Sequence, residues 1–427
     1  MSILRTYNVQ NPDSAATNIQ LSADGGISVA GIVTATGGFS GNITGNINAT
    51  GVSTIATLNV TQSNPTNLNV SGVTTTATLR ATSIVGVTTA GITTAYIGAV
   101  NDGPLAGVRN FIINGSMQVW QRGTSVTAAG YTVDRFMAYS TNTGTANYGV
   151  TVARQQDSPI GYSGYCAEIS LSNTGGLIDK VTFGQRIEAI NFYGMNSGET
   201  MTLSFYLKRM QSADSNLTIY VRSAGNGVDS YTNASVNQNS NDTAVASQDL
   251  GSFNSLSTSW TRYTFTFTVT NALITNGGVV FIQNGNSDLN VTNTNALYRT
   301  TGWQLEPGTI ATPFERRSYG QEFALCQRYY QKNSIRYGTI GYFRTSSIFI
   351  VVFELPVSMR SVNSVTLSNF NYWAFFDGSS PTMSGIFEAG GGGSSVNLLL
   401  TASSGGSAGG QAFWYSGGDT YSVDGEL

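Results

Sequence analysis

The sequence predicts an all-β fold, elongated and oligomeric, with a repetitive β-rich stalk, a central antiparallel β-sandwich (jelly-roll-like) and a distal β-rich head. Three observations predict it. The first quarter repeats short Gly/Thr/β-branched phrases, the middle alternates apolar and polar residues over long runs, and the last hundred residues are dense in glycine and serine yet keep aromatic clusters. Domains are expected at 1–26 (a short separate N-terminal segment), 27–108 (stalk), 109–318 (sandwich), 319–332 (connecting helix) and 333–427 (head).

Composition narrows the chemistry. The chain has 427 residues, 40% of them apolar, which suffices for real cores; only 10% are charged and 50 are glycine, against about 25% charged in an ordinary soluble domain. Its surface is therefore held largely by neutral hydrogen-bonding groups. A net charge of -3 offers no field for nucleic acid or an anionic membrane, so neither is expected as a partner. The absence of histidine excludes Ser-His-Asp and Cys-His catalysis and ordinary His-ligated metal sites. Two cysteines, Cys166 and Cys326, cannot alone build a zinc site and leave a disulfide open. No cofactor or metal is expected. No run approaches the ~20 apolar residues of a membrane span, and "MSILRTYNVQNPD" lacks the basic-then-apolar order of a secretion signal. The expectation is a chain that stays in its cell of synthesis or leaves by a route such as lysis.

Taken in order, the first element carries turn signals at Asn11-Pro12 and Asp24-Gly25-Gly26 around a short apolar alternation. From residue 27 the phrases "GVSTIATLNV", "GVTTTATLRA" and "GVTTAGITTAYIG" recur, with Gly51, Gly72, Gly86 and Gly91 spaced by twenty-one, fourteen and five residues. Branched Cβ atoms favour extended backbone, but Thr, Ala and Val faces are too small to cover a monomer's core. Strands whose edges are shared between copies of the chain explain the pattern; a flexible Thr/Gly linker is the alternative. The turn-rich "NDGP" at 101–104 ends this segment.

In the middle, "GVTVARQQ", "ETMTLSFYLKRM", "NLTIYVRS", "TRYTFTFTVT" and "GGVVFIQNG" read as strands. Tyr263, Phe265, Phe267 and Val269 fall on one face of the fourth, with Thr264, Thr266 and Thr268 on the other. A helix over "SYGQEFALCQRYYQK" would bury Phe323, Leu325, Cys326, Tyr329 and Tyr330 and expose Gln321, Glu322, Arg328 and Lys332. Beyond it "SSIFIVVFELP" and "VNLLLTASS" read as strands before the Gly/Ser-rich end.

The string "RNFIINGSMQVWQRGTSVTAAGYTVDRFMAY" (109–139) and the later "TGWQLEPGTIATPFERRSYGQEFALCQRYYQK" (301–332) together resemble the opening and closing parts of a domain common in bacteriophage tail-fibre and related virion fibre proteins. The matching positions are Asn114, Gly115, Trp120, Gln121, Arg122, Gly123, Tyr131, Asp134 and Arg135 in the first string. In the second they are Trp303, Glu306, Gly308, Pro313, Phe314, Glu315 and Arg316. The Thr/Gly repeats are similar to those of fibres from phages infecting marine cyanobacteria. The resemblance implies a homotrimeric structural protein of the virion, tail or tail-proximal, joined through its N-terminus to another virion protein. Its distal end would adhere to a host surface polysaccharide or lipopolysaccharide.

The residues themselves suggest two uses. In the signature strings an Arg beside a carboxylate fixes a loop, and Asp134-Arg135 is the candidate pair; Trp120 and Trp303 are expected as core or interface anchors. In the head, Asn369, Asn371, Tyr372, Trp373, Phe375, Phe376, Trp414, Tyr415 and Tyr421 form a candidate receptor-binding set, since aromatics stack on sugar faces and amides bond sugar hydroxyls; packing of the head or of its subunit contacts is the alternative use of the same aromatics. No enzyme is expected. Glycoside hydrolysis needs two opposed carboxylates, and no spacing singles out a pair among Glu168, Glu188, Glu199, Asp214 and Asp229. The "GGGG" at 390–393 lacks the Lys-Ser/Thr of a phosphate loop. A purely structural capsid or collar fibre and a polysaccharide-degrading tailspike are the alternatives to the adhesive fibre.

Overall fold

The computed structural model describes residues 109–127, 129–141, 150–161, 164–171, 180–211, 216–225, 227–231, 243–284, 296–369, 373–375, 380–390, 393–404, 406–414 and 419–427, with strands at 8–9, 19–21 and 27–29. The expected stalk lies outside these residues from 30 to 108. Contacts divide the chain into Met1–Gly91 and Ile92–Leu427. In the first unit β1 (Asn8–Val9), β2 (Ile19–Leu21) and β3 (Ile27–Val29) pair antiparallel in that order. The two sequence turn signals fall in the intervals between them.

In the second unit, alternation becomes two sheets facing across one core. One sheet has β4 (Ser125–Thr127), β7 (Val150–Gln155), β8 (Cys166–Leu171), β10 (Thr200–Arg209), β13 (Thr261–Thr268) and β15 (Ala296–Pro307), ordered β13-β10-β15-β8-β7-β4. The other has β5 (Gly130–Tyr131), β6 (Phe136–Thr141), β9 (Lys180–Ile187), β11 (Asn216–Ser223), β12 (Thr243–Ser252) and β14 (Gly278–Asn284), ordered β12-β11-β14-β9-β6-β5. A short helix α1 (Asn271–Asn276), capped by the Thr270 hydroxyl, joins β13 to β14. Every pairing in the two sheets is antiparallel.

The period of two decides which side chains enter the core. Phe265, Phe267 and Val269 are buried while Thr264, Thr266 and Thr268 stay exposed. Leu203, Phe205 and Leu207 of one sheet and Leu217, Ile219 and Val221 of the other belong to the same buried cluster. At its centre Trp303 stacks on Phe205 at 4.5 Å and meets Phe136 and Phe183 edge-on. A bulge in β15 opposite Ser204–Tyr206 aims it there, and Gly302 supplies the positive φ of 69° that the bulge requires.

Helix α2 (Tyr319–Gln327) starts where Ser318 Oγ accepts the Gln321 N–H. It is shorter than the helix expected over 319–332, because residues from Tyr330 onward find strand partners: Tyr330 lies opposite Asp424. Glu322, expected outside, is buried. The head then follows as two sheets. Strands β16 (Tyr330–Ser334), β19 (Ser364–Leu367) and β24 (Thr420–Asp424) form one, ordered β16-β24-β19. Strands β17 (Ile340–Phe343), β18 (Ile348–Glu354), β20 (Trp373–Phe375), β21 (Thr382–Gly390), β22 (Ser395–Ser404) and β23 (Gln411–Trp414) form the other, ordered β20-β23-β17-β18-β22-β21. Both contribute to a second core, Leu367, Tyr421 and Val423 from the small sheet and Phe349, Val351, Leu398 and Leu400 from the large one.

Candidate functional site

The two signature strings, nearly two hundred positions apart, lie side by side. Phe111 donates its N–H to Leu305 O at 2.8 Å, and Trp303 N donates to Gly115 O at 3.0 Å. Asn110 extends the pairing, its amide donating to Trp303 O while its carbonyl oxygen accepts from Ile112 N and Leu305 N. A Cβ on Gly115 would stand 2.1 Å from Trp303 O, so only glycine permits this approach. Asn114, at φ 61°, fills a tight loop: its side chain accepts from Gln118 N and Val119 N and donates to Val119 O and Asp134 O. Its own N–H goes to Glu322 of α2, which Arg317 also contacts. Glu315 accepts from Arg109 N and Asn110 N, and Glu306 from Thr312 and Gln304. Gly308 donates to Thr200 O, and Gly123 takes a positive φ of 122°. Trp120 is half-buried, bonded to Met117 O; Phe314 is half-buried, and Pro313 and Arg316 are exposed.

Asp134 and Arg135 do not pair with each other. Asp134 accepts from Gln121 N at 2.6 Å and from the Gln121 amide at 2.7 Å, and that amide also reaches Tyr330 O. Arg135, in the left-handed region at φ 71°, turns the other way, pairing with Glu426 and donating to Arg186 O. Sequence neighbours across such a twist face different partners, which is why adjacency misled.

The partner supplied by the far end of the chain had no local signal. Glu426 sits between Arg135 and Arg122, and Arg122 also pairs with Asp424 at 3.0 Å. Both guanidiniums lie over rings, Arg135 over Tyr329 at 3.4 Å and Arg122 over Tyr330 at 3.7 Å. Burial alone would lower the Arg135 pKa, but the Glu426 carboxylate raises it above its ordinary value. Tyr131 closes the cluster by donating to Leu427 O. Beside it Glu188 accepts from Arg328, Arg360 and the Tyr329 hydroxyl. The sandwich, the residues that follow α2 and the last described strand of the head thus meet in one polar junction.

The head holds a different feature, an open groove of about 590 Å³. Its lining combines apolar Val352, Leu355 and Pro356 with the polar side chains of Asn333, Ser334 and Thr339. Phe353 and Tyr421, rings stacked at 4.3 Å, also line it, as do the charged residues Arg336 and Glu354. Tyr421 donates to Glu354 O, and burial raises the pKa of its phenol.

Of the nine residues in the candidate receptor set, Tyr421 alone among the described ones lines this groove. Trp373 and Trp414 are a correction. Both are fully buried, crossing edge-on at 5.1 Å in the head core, where no sugar can stack on them. Phe375 is half-buried, stacked on Phe343, and Asn369 is half-buried. Asn371, Tyr372, Phe376 and Tyr415 lie outside the described residues. Cys166 and Cys326 are buried and unlinked, and burial pushes the Cys166 thiol up to about 12. Among the described residues no cluster of three or more His, Cys, Asp or Glu is placed to hold a metal, and no helix is long and apolar enough to cross a membrane.

The described fold is all-β, antiparallel and sheet-rich. No protein-family model matches the chain, and no curated protein matches it. Among solved structures it is similar in part to the enzymatically active domain of tailspike protein 4 of bacteriophage CBA120, at TM-score 0.29 and 13% identity, over 46% of this chain and 21% of that one. It is similar to a xylan-binding domain from Paenibacillus barcinonensis, at TM-score 0.27 and 11% identity, over 50% of this chain and 100% of that one. A cyclase from Fischerella sp. gives TM-score 0.28 and 14% identity, over 48% and 99%. The chain therefore covers about a fifth of the tailspike, and likenesses at this level carry no activity or ligand with them.

Proposed function

We propose that this chain is a structural subunit of a virion fibre, assembled as a homotrimer and joined through its N-terminal segment to another virion protein. The observation that carries the reading is the junction. Two signature strings resembling those of phage fibre domains share one ion-paired, ring-stacked core with residues 424–427, a device for holding a head firmly on a sandwich. Chemistry is not what such an arrangement provides, because its carboxylates are matched to buried arginines. A second reading, adhesion to a host surface polysaccharide or lipopolysaccharide, is favoured by the head groove, whose lining combines a stacked aromatic pair, apolar side chains and hydroxyl and amide groups. Polysaccharide cleavage has less support: of the described groove residues, Glu354 alone carries a carboxylate. Electron microscopy of intact particles labelled with antibody against residues 333–427 tests the structural reading. The expected result is label at the tip of a projecting fibre, with three chains meeting along it; absence of the chain from purified particles would reject it.

A further inference from the structure

We propose that the head groove binds an acidic saccharide, its carboxylate taken by Arg336 and its hydroxyls by Glu354 and Asn333, an inference that rests on the adhesive reading above. The starting point is the charge within the groove, where Arg336 is the one cationic residue among the described lining. Arg336 and Glu354 line the same groove, yet neither forms a salt bridge with any described residue. A guanidinium presents a planar fork of donors that matches a carboxylate, and a neutral sugar would leave that fork without its complementary charge.

The other lining residues fit a sugar ring. Val352, 46% exposed, and Pro356 offer a surface for the C–H face of a pyranose, while the Asn333 amide and the Glu354 carboxylate suit hydroxyl groups. Glu354 also selects among anions. A singly charged carboxylate suffers less repulsion from it than a doubly charged phosphate monoester does, so a uronate is favoured over a sugar phosphate. The groove volume, about 590 Å³, lies within the range of ~300–1,000 Å³ usual for small-ligand sites.

Equilibrium binding of the full chain to polygalacturonate, hyaluronate and alginate, each beside its carboxyl-reduced form, tests the assignment. At least one acidic form should bind about tenfold or more tightly than its reduced counterpart, as expected for a charge-assisted contact. Arg336→Ala should erase that difference, Arg336→Lys should restore part of it, and Arg344→Ala, an exposed head arginine outside the groove lining, should leave it intact. Thermal melting checks that each variant is folded. Equal binding of acidic and reduced forms, unaffected by Arg336→Ala, would overturn the acidic-sugar assignment and leave adhesion standing. If none of the polymers binds, the assignment fails; if the protein also fails to compete with virions for host cells, the adhesive reading fails with it.

Discussion

At the scale of single residues, the same side-chain types serve different ends according to burial. Asp157 is partly exposed on the outer face of the sandwich, where Lys208, Trp260 and Arg299 converge on it. The Lys208 hydrogen bond, aided by Trp260 and Arg299, lowers its pKa to about 2. Because the folded value lies below an unfolded value of about 3.9, its contribution is complete above that pH and is lost as pH falls from about 4 towards about 2. Denaturant titrations of the native chain and Asp157→Asn should therefore differ at pH 6 and converge as the pH approaches about 2. A difference that persists unchanged to the lowest pH would contradict the charge argument.

Among elements, β24 has the most unusual position. It runs between β16 and β19, contributes Tyr421 and Val423 to the head core, and continues directly into the residues that pair with Arg122 and Arg135. Val423→Asp would bury a charge without a partner, costing about 3 to 5 kcal/mol. Hydrogen exchange should then show rapid loss of protection in β16, β19 and β24 while β10 and β15 stay protected. Retained protection in the small sheet would show that β24 does not organise it. Strand β13 was legible in the sequence because strict alternation has one physical reading on a half-buried sheet, and β18 because Ile348 to Phe353 form a short continuous run of apolar, largely β-branched and aromatic residues. The end of α2 was not, since Tyr329 and Tyr330 continue a helical apolar pattern and only the distant Asp424 makes Tyr330 a strand residue. The burial of Trp373 and Trp414 is hidden in the sequence for a related reason: a glycine-rich neighbourhood resembles an exposed loop until β20 and β23 pair and turn the indoles inward. The groove escaped notice because its walls come from three separate stretches, around 333–339, 352–356 and 421.

For the whole second unit, the ion pairs of the junction are expected to couple the sandwich and the head into one cooperative structure. Breaking it at Glu426→Gln leaves Arg122 and Arg135 buried without their shared counter-charge, at a cost of about 3 to 5 kcal/mol. Calorimetry should show a single transition for sandwich and head in the native chain and two in the variant; one unsplit transition at an unchanged temperature would refute the coupling. Contacts of this sequence separation also slow folding. Arg135 and Glu426 are 291 positions apart, and at ~5–20 residues per second a ribosome needs roughly 15 to 60 s to travel between them. Once β15 has emerged, a nascent sandwich holds two arginines whose carboxylate has not yet been made. Its seam stays open to solvent during synthesis and seals only after β24 has followed.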